Sequence, residues 1–107
     1  MTITYTEARD LLKKVKKEAQ HKIVDILINS GKPLTLTEIS ETIGASMSAT
    51  SAWASTDNWT INKYAGDRGY RFYRNKRIIE ILYVNPFDPT DTVVVKRTRT
   101  YCWVERF

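Results

Sequence analysis

The chain has 107 residues, 42% hydrophobic and 27% charged, a size and mix that suit one globular domain with a modest core and leave no room for a second. Its formal charge of +5 and pI of about 9.4 favour polyanionic partners, nucleic acid ahead of an anionic membrane surface. Cys102 and His21 stand alone, which excludes an intrachain disulfide and falls short of a zinc ligand set, and no stretch approaches the ~20 apolar residues of a membrane span; a soluble, cytoplasmic chain without metal or cofactor is expected.

In chain order, Thr4 and Glu7 make a capping box ahead of Ala8, Leu11, Leu12, Val15, Ala19, Ile23, Ile26 and Leu27, which recur at helical spacing. This predicts one long helix, or two with a break near Gln20. Gly31 and Pro33 end it. Thr35 and Glu38 open a short second helix with Leu36, Ile39 and Ile43 facing inward, and Gly44 stops it. Ser46 then caps a third helix predicted to reach about Asn58. Ala49, Ala52, Trp53 and Thr56 form its core stripe, and Ser48, Ser51, Ser55 and Asn58 its open one.

From Trp59 the β-branched and aromatic content rises, and residues 59–64 and 70–74 read as two strands joined by a tip at 65–69. Alternation puts Arg71 and Tyr73 on one face of that hairpin and Tyr70, Phe72 and Arg74 on the other. Residues 77–84 form a further apolar strand, and 85–91, with two prolines and two aspartates, a loop. Residues 92–104 form a long last strand, pairing with 77–84 as a second hairpin. On it Val93, Val95, Arg97, Arg99, Tyr101 and Trp103 share one face, and Val94, Lys96, Thr98, Thr100, Cys102 and Val104 the other. A surplus edge there allows a homodimer across a two-fold axis through the C-terminal strands.

Charge is banded along the chain. Residues 9–22 are net +4 and 63–77 net +5, while 33–62 hold no Lys or Arg and are net −3. Helix, capped short helix, turn, third helix and hairpin follow one another at 23–28, 34–44, 46–58 and 61–73. In that order the chain resembles the winged helix-turn-helix family. The resemblance implies an α+β fold with three N-terminal helices (helical part about 4–58), a β-hairpin wing and an additional C-terminal β-hairpin (β part about 59–107). It also implies binding of double-stranded DNA by a transcriptional regulator, with Ser48, Thr50, Ser51, Ser55 and Asn58 toward the major groove.

That third helix brings no Arg or Lys, so affinity would come from phosphate contacts by Lys63, Arg68, Arg71, Arg74 and Lys76. The reading requires these cations to converge beside the third helix. Two alternatives stand beside it. One is a protein-interaction module that regulates or inhibits a nucleic-acid machine, docking through the uncharged third helix and the last strand. The other is RNA or single-stranded DNA binding through the Tyr- and Arg-rich hairpin. Catalysis is not expected: His21 is the single imidazole, the acids are scattered, and no phosphate-cradling glycine loop precedes a helix.

Overall fold

A computed structural model describes residues 2–107 and gives an α+β arrangement of four helices and a three-stranded antiparallel sheet. α1 (Tyr5–Ser30) is one unbroken helix of 26 residues. Thr4 Oγ1 accepts from Glu7 N–H at its start, and Gly31, at φ 65°, donates its N–H to Leu27 O at its end. Ala19, Gln20, Ile23, Val24 and Leu27 are buried, whereas the turns before them stand in solvent.

β1 (Leu34–Thr35) leads directly into α2 (Leu36–Ile43). Thr35 and Glu38 complete a reciprocal capping box, Glu38 N–H donating to Thr35 Oγ1 at 3.1 Å and Thr35 N–H to Glu38 Oε1 at 3.3 Å. Gly44, at φ 70°, ends α2, and Ser46 caps α3 (Met47–Trp53) by accepting from Ala49 N–H. These three boundaries match the sequence reading.

The next segment does not. α3 stops at Trp53 rather than Asn58, because Ser55, Asp57 and Asn58 bond locally instead of continuing the helix. Asp57 N–H donates to Ser55 Oγ, and Asn58 Oδ1 accepts from the N–H groups of Thr60 and Ile61 at 2.9 and 3.3 Å. Asn58 thereby opens α4 (Trp59–Asp67), a helix where a wing strand was expected. Tertiary packing overrides the strand propensity of Trp59, Thr60 and Ile61: Ile61 and Ala65 are both fully buried while Lys63 between them is exposed, a pattern an alternating strand cannot provide.

β2 (Tyr70–Asn85) and β3 (Asp88–Arg106) form one continuous hairpin in place of the two expected, in register from Tyr70 opposite Arg106 to Val84 opposite Thr92. β1 adds to its base, Leu34 opposite Cys102, giving the order β1-β3-β2. Phe72 and Cys102 point into the core with Ile23, Val24, Leu27, Leu36, Ile39, Ala54, Ile61 and Ala65, so the helices pack on that face of the sheet. The face expectations for both strands hold: Arg71, Tyr73, Tyr101 and Trp103 lie on the other side.

The radius of gyration is 17.9 Å, against about 13 Å for a compact chain of this length. The excess reflects projections, since side chains on the first half of α1 and on the far part of the hairpin are largely exposed. Among the described residues no helix is long and apolar enough to cross a membrane.

Candidate nucleic-acid interface

The residues expected to meet nucleic acid are dispersed by the fold, and most are occupied. Arg74 points from β2 to the C-terminal end of α3. Its Nη1 donates to Ser51 O (2.7 Å) and Ala54 O (2.8 Å), and its Nη2 to Ser51 Oγ (2.9 Å). Buried Gln20, from α1, donates to Trp53 O at 3.0 Å. A short helix without a left-handed glycine cap thus has its free carbonyls satisfied by a fork from the sheet and an amide from α1. Arg74 and Ser51 are part of the scaffold.

Arg68 is similarly tied. As the C-cap of α4 it pairs with Asp25 of α1 and donates to Tyr64 Oη at 3.1 Å, while Tyr64 donates to Asp25 at 2.8 Å and stacks on His21 at 3.9 Å. The hydrogen bond that Arg68 donates to Tyr64, with the Asp25 charge behind it, raises the Arg68 pKa above its ordinary value. Lys63 pairs with Asp67 one turn on, at 3.2 Å, and lies 5.8 Å from the Trp59 ring. These two cations therefore sit on the α1–α4 side, while Arg71 is across the sheet.

On α3, Thr50 is fully buried and donates to Ser46 O; beyond its end Ser55 accepts from Asp57 N–H, and Asn58 caps α4. Of the expected helix residues Ser48 alone is exposed. Lys76 is exposed on the helix-side face of the hairpin, opposite Thr100. Beside it a cleft of about 150 Å³ runs between Thr35, Leu36, Thr37 and Met47 and the hairpin residues Thr98, Arg99 and Thr100. The expected convergence of Lys63, Arg68, Arg71, Arg74 and Lys76 beside α3 is not found.

What the fold does bring together lies on the outer face of the sheet. Strand pairing sets Tyr73 opposite Trp103, Asn75 opposite Tyr101, Arg77 opposite Arg99 and Ile79 opposite Arg97. Tyr73 and Trp103 stack with ring centroids 5.5 Å apart, and the Arg77 guanidinium lies 5.7 Å from the Tyr101 ring and 5.8 Å from Trp103. Arg71 sits 5.5 Å over Tyr73. Arg71, Arg77, Arg97 and Arg99 are all exposed, and Glu105, opposite Arg71, is the acid at the base of this face.

Like charges placed directly opposite across two strands repel, by up to ~1 kcal/mol, and the Arg77 and Arg99 pair is in that position. The cation–π contacts of Arg77 return a similar amount, ~0.5–1 kcal/mol each at an exposed site. A ridge of guanidinium groups held on aromatic rings, facing water, is suited to an anion with flat groups attached.

The sequence reading named Arg71 but not Arg77, Arg97 or Arg99 as contact residues. Their signal was present in the alternation of Arg97, Arg99, Tyr101 and Trp103; the register that sets Arg77 among them was not legible across the 85–91 loop. Comparison with family models, curated proteins and solved structures finds no match to this chain.

Proposed function

We propose that this chain is a winged-helix-like nucleic-acid-binding protein that makes its main contact through the outer face of the hairpin and prefers unpaired strands. The observation that carries this is the Arg77 and Arg99 pair beside Tyr101, Trp103 and Tyr73 on an open sheet face. Phosphate groups between the arginines relieve their mutual repulsion, and bases stack on the rings, each stack contributing ~1–3 kcal/mol. Paired bases hide their flat faces, so the aromatic share of the affinity belongs to single strands. Replacing Arg77 and Arg99 with Ala removes two exposed charges and leaves the buried face untouched. Affinity for a single-stranded oligonucleotide, followed by fluorescence anisotropy, should fall at least tenfold; unchanged affinity would end the proposal.

A duplex reading has its own support. α2, the Gly44-Ala45-Ser46 turn and α3 follow the helix-turn-helix order, and the sheet order β1-β3-β2 with a hairpin after the helices is compatible with a winged helix. In that reading double-stranded DNA runs along the cleft between α3 and the hairpin, contacting Ser48 and Lys76, as in a transcriptional regulator. Lys76→Ala then weakens duplex binding and leaves single-strand binding unchanged.

A further inference from the structure

β2 has a strand partner on one side only, since the sheet order is β1-β3-β2. Phe107 N–H donates to Gly69 O at 3.1 Å, and from that pair the antiparallel alternation runs along the hairpin without a bulge until Val84. Arg71 and Tyr73 therefore exchange main-chain bonds with Glu105 and Trp103, while the N–H and C=O groups of Tyr70 and Phe72 point away from β3 to the open edge. Those of Phe72 have no hydrogen-bond partner among the described residues, although Phe72 is almost wholly buried. Main-chain groups shielded from water are nearly always paired, so this edge lacks a partner.

A cleft of about 470 Å³, within the size range of ligand sites, follows the same edge. The edge from Tyr70 to Tyr73 lines it together with Thr56, between α3 and α4, Asn62 of α4, and Phe107, which is 84% exposed. The Asn62 amide is oriented by its own donors: Nδ2 donates to Thr56 O at 2.7 Å and to Asn58 O at 2.9 Å, which leaves Oδ1 as a fixed acceptor. Arg71 is the single charge of the lining. No carboxylate or aliphatic side chain joins it; Asp57, next to Thr56 in the chain, and Glu105, opposite Arg71, are outside the lining. Arg71 and Tyr73 belong both to the cleft and to the outer face of the sheet, so the two surfaces are continuous.

We infer that one base of a bound single strand turns over the β2 edge into this cleft and is read there, and that the base is one with an amino group beside a ring acceptor, cytosine or adenine. Its ring meets Tyr73 and Phe107, its amino group donates to Asn62 Oδ1, and its ring nitrogen accepts from the Phe72 N–H. Thymine and uracil carry a carbonyl oxygen where cytosine carries the amino group, which sets one acceptor against another. A base suits this lining better than an added peptide strand, which would use the open edge and leave the rings, the guanidinium and the Asn62 amide idle. The base site extends the nucleic-acid reading of the outer face and rests on it. It adds a preference among bases that stacking alone does not supply.

The test is fluorescence anisotropy of the full chain with labelled oligodeoxycytidine and oligodeoxyuridine of equal length at neutral pH, with amide NMR of the isotope-labelled chain beside it. The cytidine strand should bind about fivefold more tightly, the ratio one added hydrogen bond supplies, and should shift the amide signals of Tyr70 and Phe72. Phe107→Ala and Asn62→Ala should each bring the two affinities together. Phe107→Ala changes an exposed ring, so it decides the matter even if Asn62→Ala disturbs the turn before α4. Arg77→Ala with Arg99→Ala should weaken both strands and keep their ratio. Equal affinities in the native chain, both falling with the Arg77 and Arg99 changes, would overturn the base site and leave the outer-face reading standing; no binding of either strand would overturn both. A Phe72 amide signal that moves with protein concentration and not with oligonucleotide, the mark of a chain pairing with itself along this edge, would also overturn the base site.

Discussion

Arg74 shows how one side chain can belong to the scaffold while reading as ligand-binding in the sequence. Period-two alternation correctly placed it on the same face as Phe72, but its acceptors, Ser51 and Ala54, lie 23 and 20 residues away, beyond what local pattern reveals. Arg74→Ala leaves carbonyls at the end of α3 without donors in a half-buried site. Charged hydrogen bonds contribute ~1.5–3 kcal/mol, so urea denaturation should show a loss of about 2 kcal/mol or more. Arg74→Lys should recover only part of it, because an ammonium cannot reproduce the planar fork. Cys102, opposite Arg74, gives a pH prediction. Burial pushes its thiol from the ordinary 9.0 up to about 11, with the Arg74 charge pulling the other way. The folded state thus holds this proton more tightly than the unfolded chain. Its stabilising contribution is complete below pH 9 and is lost as pH rises toward 11. Urea midpoints measured across that window should fall more steeply for the native chain than for Cys102→Ala.

At the scale of elements, the helical half was legible where caps announce it. Thr4, Gly31, Thr35, Glu38, Gly44 and Ser46 all serve at the termini where their chemistry suggested. Residues 59–67 were misread because strand-favouring side chains dominate the start of a helix held by tertiary contacts. The overlooked signs were Asn58 as a cap and the four-residue spacings of Ile61 with Ala65, Lys63 with Asp67 and Tyr64 with Arg68. Asn58→Ala removes the acceptor for the N–H groups of Thr60 and Ile61 and should destabilise the fold by about 1 kcal/mol, read from the urea midpoint. Once 59–67 is helical, residues 70–74 have no strand before them to pair with. They join 77–84 in β2, and β3 becomes their common partner.

For the molecule as a whole, the charge bands were legible but their placement was not. The band at 63–77 looked like one surface and is divided among three: Lys63 and Arg68 beside α1, Arg74 and Lys76 on the helix side of the sheet, Arg71 and Arg77 on the outer side. Arg97 and Arg99, from the far end of the sequence, complete the outer cluster through strand register alone. The central claim is that this outer cluster binds nucleic acid and that its rings favour unpaired bases. Its most direct test is anisotropy titration of one labelled oligonucleotide, single-stranded and then annealed, over a range of salt concentrations, for the native chain and for Trp103→Ala. If Arg71, Arg77, Arg97 and Arg99 each meet a phosphate, the single-strand affinity should fall with a log–log salt slope of about −3. The single strand should bind more tightly than the duplex, and Trp103→Ala should erase most of that preference while leaving the slope nearly unchanged. Equal or tighter duplex binding, or a preference untouched by removing Trp103, would contradict the account.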